Sequence, residues 1–229
     1  MADRLIVTID GPAGVGKTTL ARRLAQALGV AYLDTGAMFR ATAWHLGDGA
    51  WLLPEPELGE RLAAMTFSLE GVGDASRLRL NGEELTDAIR TEAVGMWASN
   101  IATLPVVRAM QKQAQQALGR HISLTAEGRD MGTVVFPEAR VKFFLDATAS
   151  VRAERRHRQL LELGKATPGV TALEAQIKAR DDQDRNRAVA PLQPASDGVV
   201  LDTTALDVEG VFHAMLAVLR DRGIAPGAS

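Results

Sequence analysis

Residues Leu5–Ile9 form an apolar, β-branched run closed by Asp10, and Gly11-Pro12-Ala13-Gly14-Val15-Gly16-Lys17-Thr18 follows at once. Leu20, Leu24 and Leu28 then recur at helical spacing, with Gly29 as a stop signal. The eight residues fit G-x-x-x-x-G-K-S/T, the P-loop, in the strand-before and helix-after setting that this motif requires. Glycines let backbone N–H groups turn inward around phosphate oxygens, and the following helix offers its positive end to them. Lys17 is placed to reach the β- and γ-phosphates, and the Thr18 hydroxyl to ligate Mg²⁺. A chance glycine-rich turn would lack this flanking strand and helix. The segment therefore predicts a nucleoside triphosphate site made by Gly11, Pro12, Ala13, Gly14, Val15, Gly16, Lys17, Thr18 and Thr19.

The strand, loop, helix and second short strand at Ala31–Leu33 predict an α/β fold with a parallel sheet. A second helix is expected over Ala37–His45. At 229 residues the chain suits one domain with a modest insertion. Its net charge of −2 argues against bulk electrostatic attachment to nucleic acid or membrane. With no cysteine, disulfides, thiolate metal sites and cysteine nucleophiles are excluded. The longest uncharged run, Ala93–Val107, has 15 residues and is broken by polar residues, Gly and Pro, whereas a membrane span needs about 20 apolar ones. Met1-Ala2-Asp3-Arg4 carries no signal-like basic start. A cytoplasmic protein is expected.

The middle of the chain changes period. Gly47, Asp48, Gly49, Pro54 and Pro56 mark a loop before a helical patch near Leu58–Met65. Phe67 and Leu69 alternate, Gly71–Gly73 turns, and Leu78 and Leu80 alternate again. Asn81-Gly82, the strongest two-residue hairpin signal, leads into Glu83–Thr86. Three short antiparallel strands inside an α/β chain predict an inserted subdomain over residues 60–95. Helix is expected over Ala93–Leu118 with a break at Pro105, and strands at Ile122–Ala126, Val141–Leu145 and Val199–Leu201. Val151–Leu163 reads as an Arg-rich helix, Thr171 and Glu174 as a capping box that starts the next one, and Val208–Leu219 as an amphipathic closing helix.

Arginines gather where strands should end or lids should sit: Arg40, Arg108, Arg129, then Arg152, Arg155 and Arg156, then Arg180, Arg185 and Arg187. Arginine forks bind phosphate oxygens in pairs, and two phosphorylated substrates held face to face need many of them. On the helix after Thr171, Leu173, Ile177, Arg180, Asp184 and Arg187 share one face, which starts apolar and becomes charged. Such a face either runs from the core into a polar cleft or belongs to a solvated helix laced with pairs such as Asp181 and Arg185. Asp10 likewise has two readings, a place near Mg²⁺ or a loop cap. His45, His121, His157 and His213 lack metal spacing, and Trp44, Trp51 and Trp97 suit packing.

Three further blocks complete the pattern. They are Leu33-Asp34-Thr35-Gly36-Ala37-Met38-Phe39-Arg40, Glu127-Gly128-Arg129-Asp130-Met131-Gly132-Thr133-Val134-Val135-Phe136-Pro137, and Arg180-Asp181-Asp182-Gln183-Asp184-Arg185-Asn186-Arg187-Ala188-Val189-Ala190-Pro191. With the P-loop, in this order, they resemble the signature blocks of bacterial cytidylate kinases, and the similarity runs from about Leu5 to Leu219. The resemblance implies a P-loop nucleoside monophosphate kinase fold: a parallel five-stranded sheet flanked by helices, with a small antiparallel three-stranded insert. It implies a single kinase domain over 1–229, a monophosphate-binding insert over 60–95 and a lid-like helical region over 151–187. It also implies γ-phosphoryl transfer from ATP, with Mg²⁺, to CMP or dCMP by a monomer.

Carried over by position, Arg40 and Arg129 hold the acceptor phosphate. Thr35, Arg108, Asp130 and Arg187 surround the cytosine, and Ser99, Arg180 and Asp184 lie near the sugar. Lys17, Arg129, Arg152 and Arg156 are the catalytic candidates, and the family places the lid arginines, Arg155 among them, over the triphosphate. Thr35 and Phe39 stand where many members have Ser and Tyr. The chemistry agrees: Asp130 can accept from the cytosine amine, while Arg108 or Arg187 donates to the neighbouring acceptors. Other small P-loop kinases, acting on UMP, AMP or shikimate, are the competing enzymes. A nucleotide-dependent switch is the competing class, and the chain lacks the N-K-x-D guanine motif of GTPases.

Overall fold

The first strand, β1 (Ile6–Asp10), carries apolar or β-branched residues on both faces, and the fold covers both. In this computed structural model, which describes residues 4–225 and Gly227, it lies in the middle of a five-stranded parallel sheet. Met1–Asp3, on which the signal-segment reading rests, lie outside the described residues. In chain order the elements are α1 (Lys17–Leu28), β2 (Ala31–Asp34), α2 (Thr35–Leu46), α3 (Glu55–Ala63), β3 (Phe67–Glu70), β4 (Arg77–Leu80), β5 (Glu83–Glu84), α4 (Glu92–Ile101) and α5 (Pro105–His121). There follow β6 (Leu124–Gly128), β7 (Val141–Asp146), α6 (Ala149–Glu162), α7 (Val170–Asn186), β8 (Val199–Asp202) and α8 (Val208–Asp221). The sheet order is β2-β6-β1-β7-β8.

One core packs Leu20, Leu24, Met215 and Leu219 of α1 and α8 against Val7, Ile9 and Phe143. The other packs Met38, Leu58, Leu62, Ile101 and Val107 of α2 to α5 against Leu33 and Leu124. Three strands end at one level: Asp10 is in register with Gly128 and Phe144, and Asp34 with Glu127. The apolar part of the sheet thus stops at a polar rim, outside the carboxyl ends of the strands, where open α/β sheets bind ligands.

The three expected antiparallel strands form the second sheet, β3-β4-β5. Asn81 and Gly82 take φ of 52° and 83°, the left-handed pair that a tight hairpin turn requires. Phe67, Leu69 and Leu80 of this sheet are buried in the second core. Its 73–76 turn is sewn to the large sheet: Gly73 N donates to Val30 O at 2.9 Å and Tyr32 N to Ser76 Oγ at 2.8 Å.

Two local expectations change. The third helix starts at Glu55 with Pro56 in its first turn, where the missing N–H breaks no helical bond. Helix α7 starts at Val170 after Gly169, with no side-chain cap. Thr171 is therefore already inside the helix, and Glu174 pairs with Lys178 at 2.8 Å instead of closing a capping box. Among the described residues no helix is long and apolar enough to cross a membrane.

Candidate active site

The P-loop leaves β1 through Gly11 at φ 149°, where a Cβ would lie 2.2 Å from the Leu145 carbonyl oxygen. Gly16 takes φ 97° as the N-cap of α1, and no side chain caps that helix. Its first-turn N–H groups are thus left facing the loop's concavity. Lys17 Nζ donates to Gly11 O at 2.8 Å and Pro12 O at 2.7 Å, so one of its three protons remains for a ligand. Burial, and then Arg129, hold the Lys17 ammonium well below the usual lysine range. Thr18 and Thr19 are exposed on the first turn of α1.

Behind the loop stand two buried carboxylates. Glu127 accepts from Thr18 Oγ1 at 3.1 Å and from the Tyr32 hydroxyl. Burial, reinforced by Asp34, pushes the Glu127 carboxyl up. Asp10 accepts from Met131 N at 2.9 Å and Gly132 N at 2.8 Å, so the structure uses it as a loop cap. Among the described residues no group of three His, Asp or Glu side chains could cage a metal. One threonine hydroxyl backed by a carboxylate fits instead a hard cation that arrives with the nucleotide's phosphates and keeps its waters.

Beside the P-loop a cleft opens between the ends of β2 and β6, helix α4 and the end of α7. Lys17, Thr35, Arg40, Ser99, Arg108, Arg129, Asp130, Arg180, Asp184 and Arg187 all line it. Asp130, buried, pairs with Arg108 at 2.5 Å and with Arg187 at 3.4 Å. Asp184 accepts from Arg129 Nε at 2.8 Å. Burial alone would raise the Asp184 carboxyl, but Arg129, Arg180 and Arg187 outweigh it and hold the group below the usual range. Thr35 Oγ1 donates to Glu127 O at 2.7 Å, and Arg40 Nη1 to Ile89 O and Thr91 O at 3.2 Å each. On α7, Leu173 and Ile177 are buried against Ala153 and Leu160 of α6, and Arg180 and Asp184 enter the cleft. The helix face does run from core to cleft. Asp181 does not pair with Arg185, which lies 3.6 Å from Asp146.

A family model described as cytidylate kinase matches residues 7–221. The chain belongs to the cytidylate kinase family. The cytidylate kinase of Oleidesulfovibrio alaskensis is 57% identical over 220 residues, 96% of this chain and 100% of the relative. That of Maridesulfovibrio salexigens is 59% identical over 211 residues, 92% of this chain and 94% of the relative. The crystal structure of a protein from Eubacterium ventriosum matches with a TM-score of 0.53 at 12% identity, covering 96% of this chain and 99% of that one; this likeness concerns the fold alone.

In this cytidylate kinase family member the lid arginines differ from one another. Arg152 is buried: Nη1 reaches Ala13 O at 3.1 Å, Nε reaches Ala147 O at 2.9 Å, and Asp181 takes both terminal nitrogens at 2.6–3.2 Å. It is a strut under the P-loop and not a free lid arginine. Arg155 is tied to the 203–206 turn through Thr203 O at 2.6 Å and Leu206 O at 3.0 Å. Arg156 is exposed, donates to Gln159 at 2.8 Å, and lies close enough to Arg40 to lower its affinity for a proton.

Besides the expected residues, the cleft is lined by others, Glu127, Gly95, Phe39 and Gln183 among them. Gly95 sits mid-helix in α4 because a Cβ there would lie 2.9 Å from Arg40 Nη2. Phe39 lies under Arg108, 5.9 Å from ring to guanidinium, and Gln183 also lines the cleft. A glycine inside an otherwise good helix was the one available signal. The histidines play no part in the cleft. Trp51 and Trp97 pack at the second core, whereas Trp44, expected there, is half exposed.

Proposed function

We propose that the protein transfers the γ-phosphoryl group of ATP to CMP or dCMP, giving ADP and CDP or dCDP. The observation that carries this is the convergence of all nine acceptor candidates, with Lys17, on one cleft beside the P-loop. Family membership supplies the reaction class, and the cleft supplies a place for the acceptor.

The triphosphate lies on the first-turn N–H groups of α1, with Thr18 holding the accompanying Mg²⁺. Magnesium, when bound there, would supply positive charge that offsets the charge of the phosphates. Lys17 leaves its carbonyl partners for the β- and γ-phosphates. Arg40 and Arg129 hold the acceptor phosphate. Arg129 is fixed through Nε by Asp184, which aims its remaining nitrogens. Arg156 on α6 reaches the transferring group as residues 151–187 close, and residues 60–95 flank the monophosphate. Arg152 contributes by holding the P-loop. No residue is needed as a strong base, because positioning and charge stabilisation carry phosphoryl transfer. Each of these residues comes from one chain, so a monomer suffices.

Base choice falls to Asp130, which accepts from the cytosine amine while Arg108 and Arg187 donate to the acceptor atoms. UMP presents a carbonyl where CMP has the amine. Facing two acceptors with each other costs about 1–3 kcal/mol, roughly tenfold to hundredfold in specificity. Thr35 adds a hydroxyl beside the base, and Ser99, Arg180 and Asp184 stand on the sugar side. The test is ADP formation from ATP–Mg²⁺ with no acceptor, then with CMP, dCMP, UMP, AMP and GMP in turn. Stimulation by CMP and dCMP above all others is expected. Stimulation by another monophosphate alone would move the specificity argument to other residues, and none at all would refute the kinase reading.

A further inference from the structure

The wide helical turn Met131–Val135 begins at Asp130, which occupies the N-cap position. An aspartate there ordinarily turns its carboxylate onto the first N–H groups of its own turn. Asp130 makes no such bond; its two oxygens face Arg108 and Arg187 in the cleft. The N–H groups of Met131 and Gly132 are instead taken by the two oxygens of Asp10, more than a hundred residues away in sequence. Asp10 is in place because β1 and β6 are neighbours with Asp10 opposite Gly128. It is 4 % exposed, and it is the residue immediately before the P-loop. The mechanism above gives it no task. Its charged neighbours are Asp130 and Lys17.

We infer that Asp10 is a positioning residue for the acceptor base: it caps the 131–135 turn in place of Asp130 and so leaves the Asp130 carboxylate free to face the cytosine. The inference rests on the acceptor reading of Asp130. It also ties the acceptor loop to the strand that carries the donor loop, so that the two substrates share one fixed reference. The turn is also packed closely on that strand two residues earlier, on the same face, since a Cβ on Gly132 would lie 2.9 Å from Thr8 Oγ1.

Two variants disturb the cap from opposite ends. Asp10→Asn sets an amide nitrogen against a backbone N–H, and Gly132→Ala pushes its own N–H away from an intact Asp10. Both are expected to raise KM for CMP about tenfold or more, the loss of one hydrogen bond to a charged group. Both are expected to weaken CMP affinity in calorimetry and to narrow the preference for CMP over UMP. KM for ATP and the Mg²⁺ concentration giving half-maximal velocity should stay unchanged. If Asp10→Asn does not fold, Gly132→Ala decides. A raised Mg²⁺ requirement, or a lowered melting temperature with KM for CMP unaltered, overturns the inference. Asp130→Asn is the control: if it leaves base preference intact, the acceptor reading itself fails and takes the inference with it. If it abolishes the preference while the other two variants do not, the inference alone fails.

Discussion

Replacing Arg152 with Met keeps most of the side-chain stem and removes the guanidinium that joins three segments. The side chain of Arg152 is 3% exposed and that of Asp181 9%, so Asp181 would be left as a buried, unpaired charge. Breaking a buried pair from one side costs about 3–5 kcal/mol. In a domain of this size each kcal/mol lowers Tm by about 2–4 °C, so Arg152→Met should melt about 6–20 °C lower. Asp181→Leu should fall into the same range. The double variant buries no lone charge and should recover about 2 kcal/mol of the loss, leaving about 1–3 kcal/mol for the carbonyls of Ala13 and Ala147, which still lack their donor. Thermal unfolding followed by circular dichroism, with KM for ATP, reads the cycle. The double variant is expected to regain part of its Tm without regaining KM for ATP, because Ala13 in the P-loop stays untethered. If Arg152→Met kept the parental Tm and lost only kcat, Arg152 would be a mobile phosphate ligand and the strut argument would be refuted.

Lys17→Met should lower kcat by at least about a hundredfold, as expected for one positioned charge on the transferring group; a near-normal kcat removes Lys17 from the chemistry. Asp184→Ala frees Arg129 and should raise KM for CMP while leaving KM for ATP in place; the opposite split would mean that the end of α7 serves the donor. Gly95→Ala should make α4 more stable by up to about 1 kcal/mol, as alanine for glycine in a helix does. The same change displaces Arg40 and should raise KM for CMP, so a rise in Tm with unchanged KM would contradict the Arg40 assignment. Burial raises Asp10 from 3.8 to about 6, so the fold binds a proton there more tightly than the unfolded chain does. Relative to Asp10→Asn, the parent protein should therefore be most stable below pH 3.8 and lose about 3 kcal/mol as pH rises through 6. Urea unfolding of both proteins across pH 3–8 measures this, and a flat difference would refute it.

What could be read from the sequence was short-range. The P-loop, the Asn81-Gly82 hairpin and the break at Pro105 each depend on a few adjacent residues whose dihedral or phosphate-facing requirements are local. The cleft residues were legible through the signature blocks, and the apolar-to-charged face of α7 pointed to the same place. What stayed hidden was set by partners distant in the chain. Arg152 finds Asp181 29 positions on, and Asp10 finds Gly132 122 positions on. No periodicity reports which arginine of a cluster is buried and which is exposed, so Arg152, Arg155 and Arg156 looked alike until packing separated them. The misplaced capping box at Thr171 has a different, local origin: the helix already starts at Val170, so Thr171 lies within it and Glu174 pairs with Lys178 one turn on.

The turn that joins the small sheet to Tyr32 also settles what could be cut away. Strand β2 lies at one border of the large sheet, and the outward N–H of Tyr32 is satisfied by Ser76. An unsealed border strand is a template for pairing with other chains and for aggregation. A shortened version with residues 67–84 replaced by a brief linker would therefore lose more than the small sheet itself. It would present a bare strand margin to its neighbours, and self-association would set in before any change in catalysis could be measured.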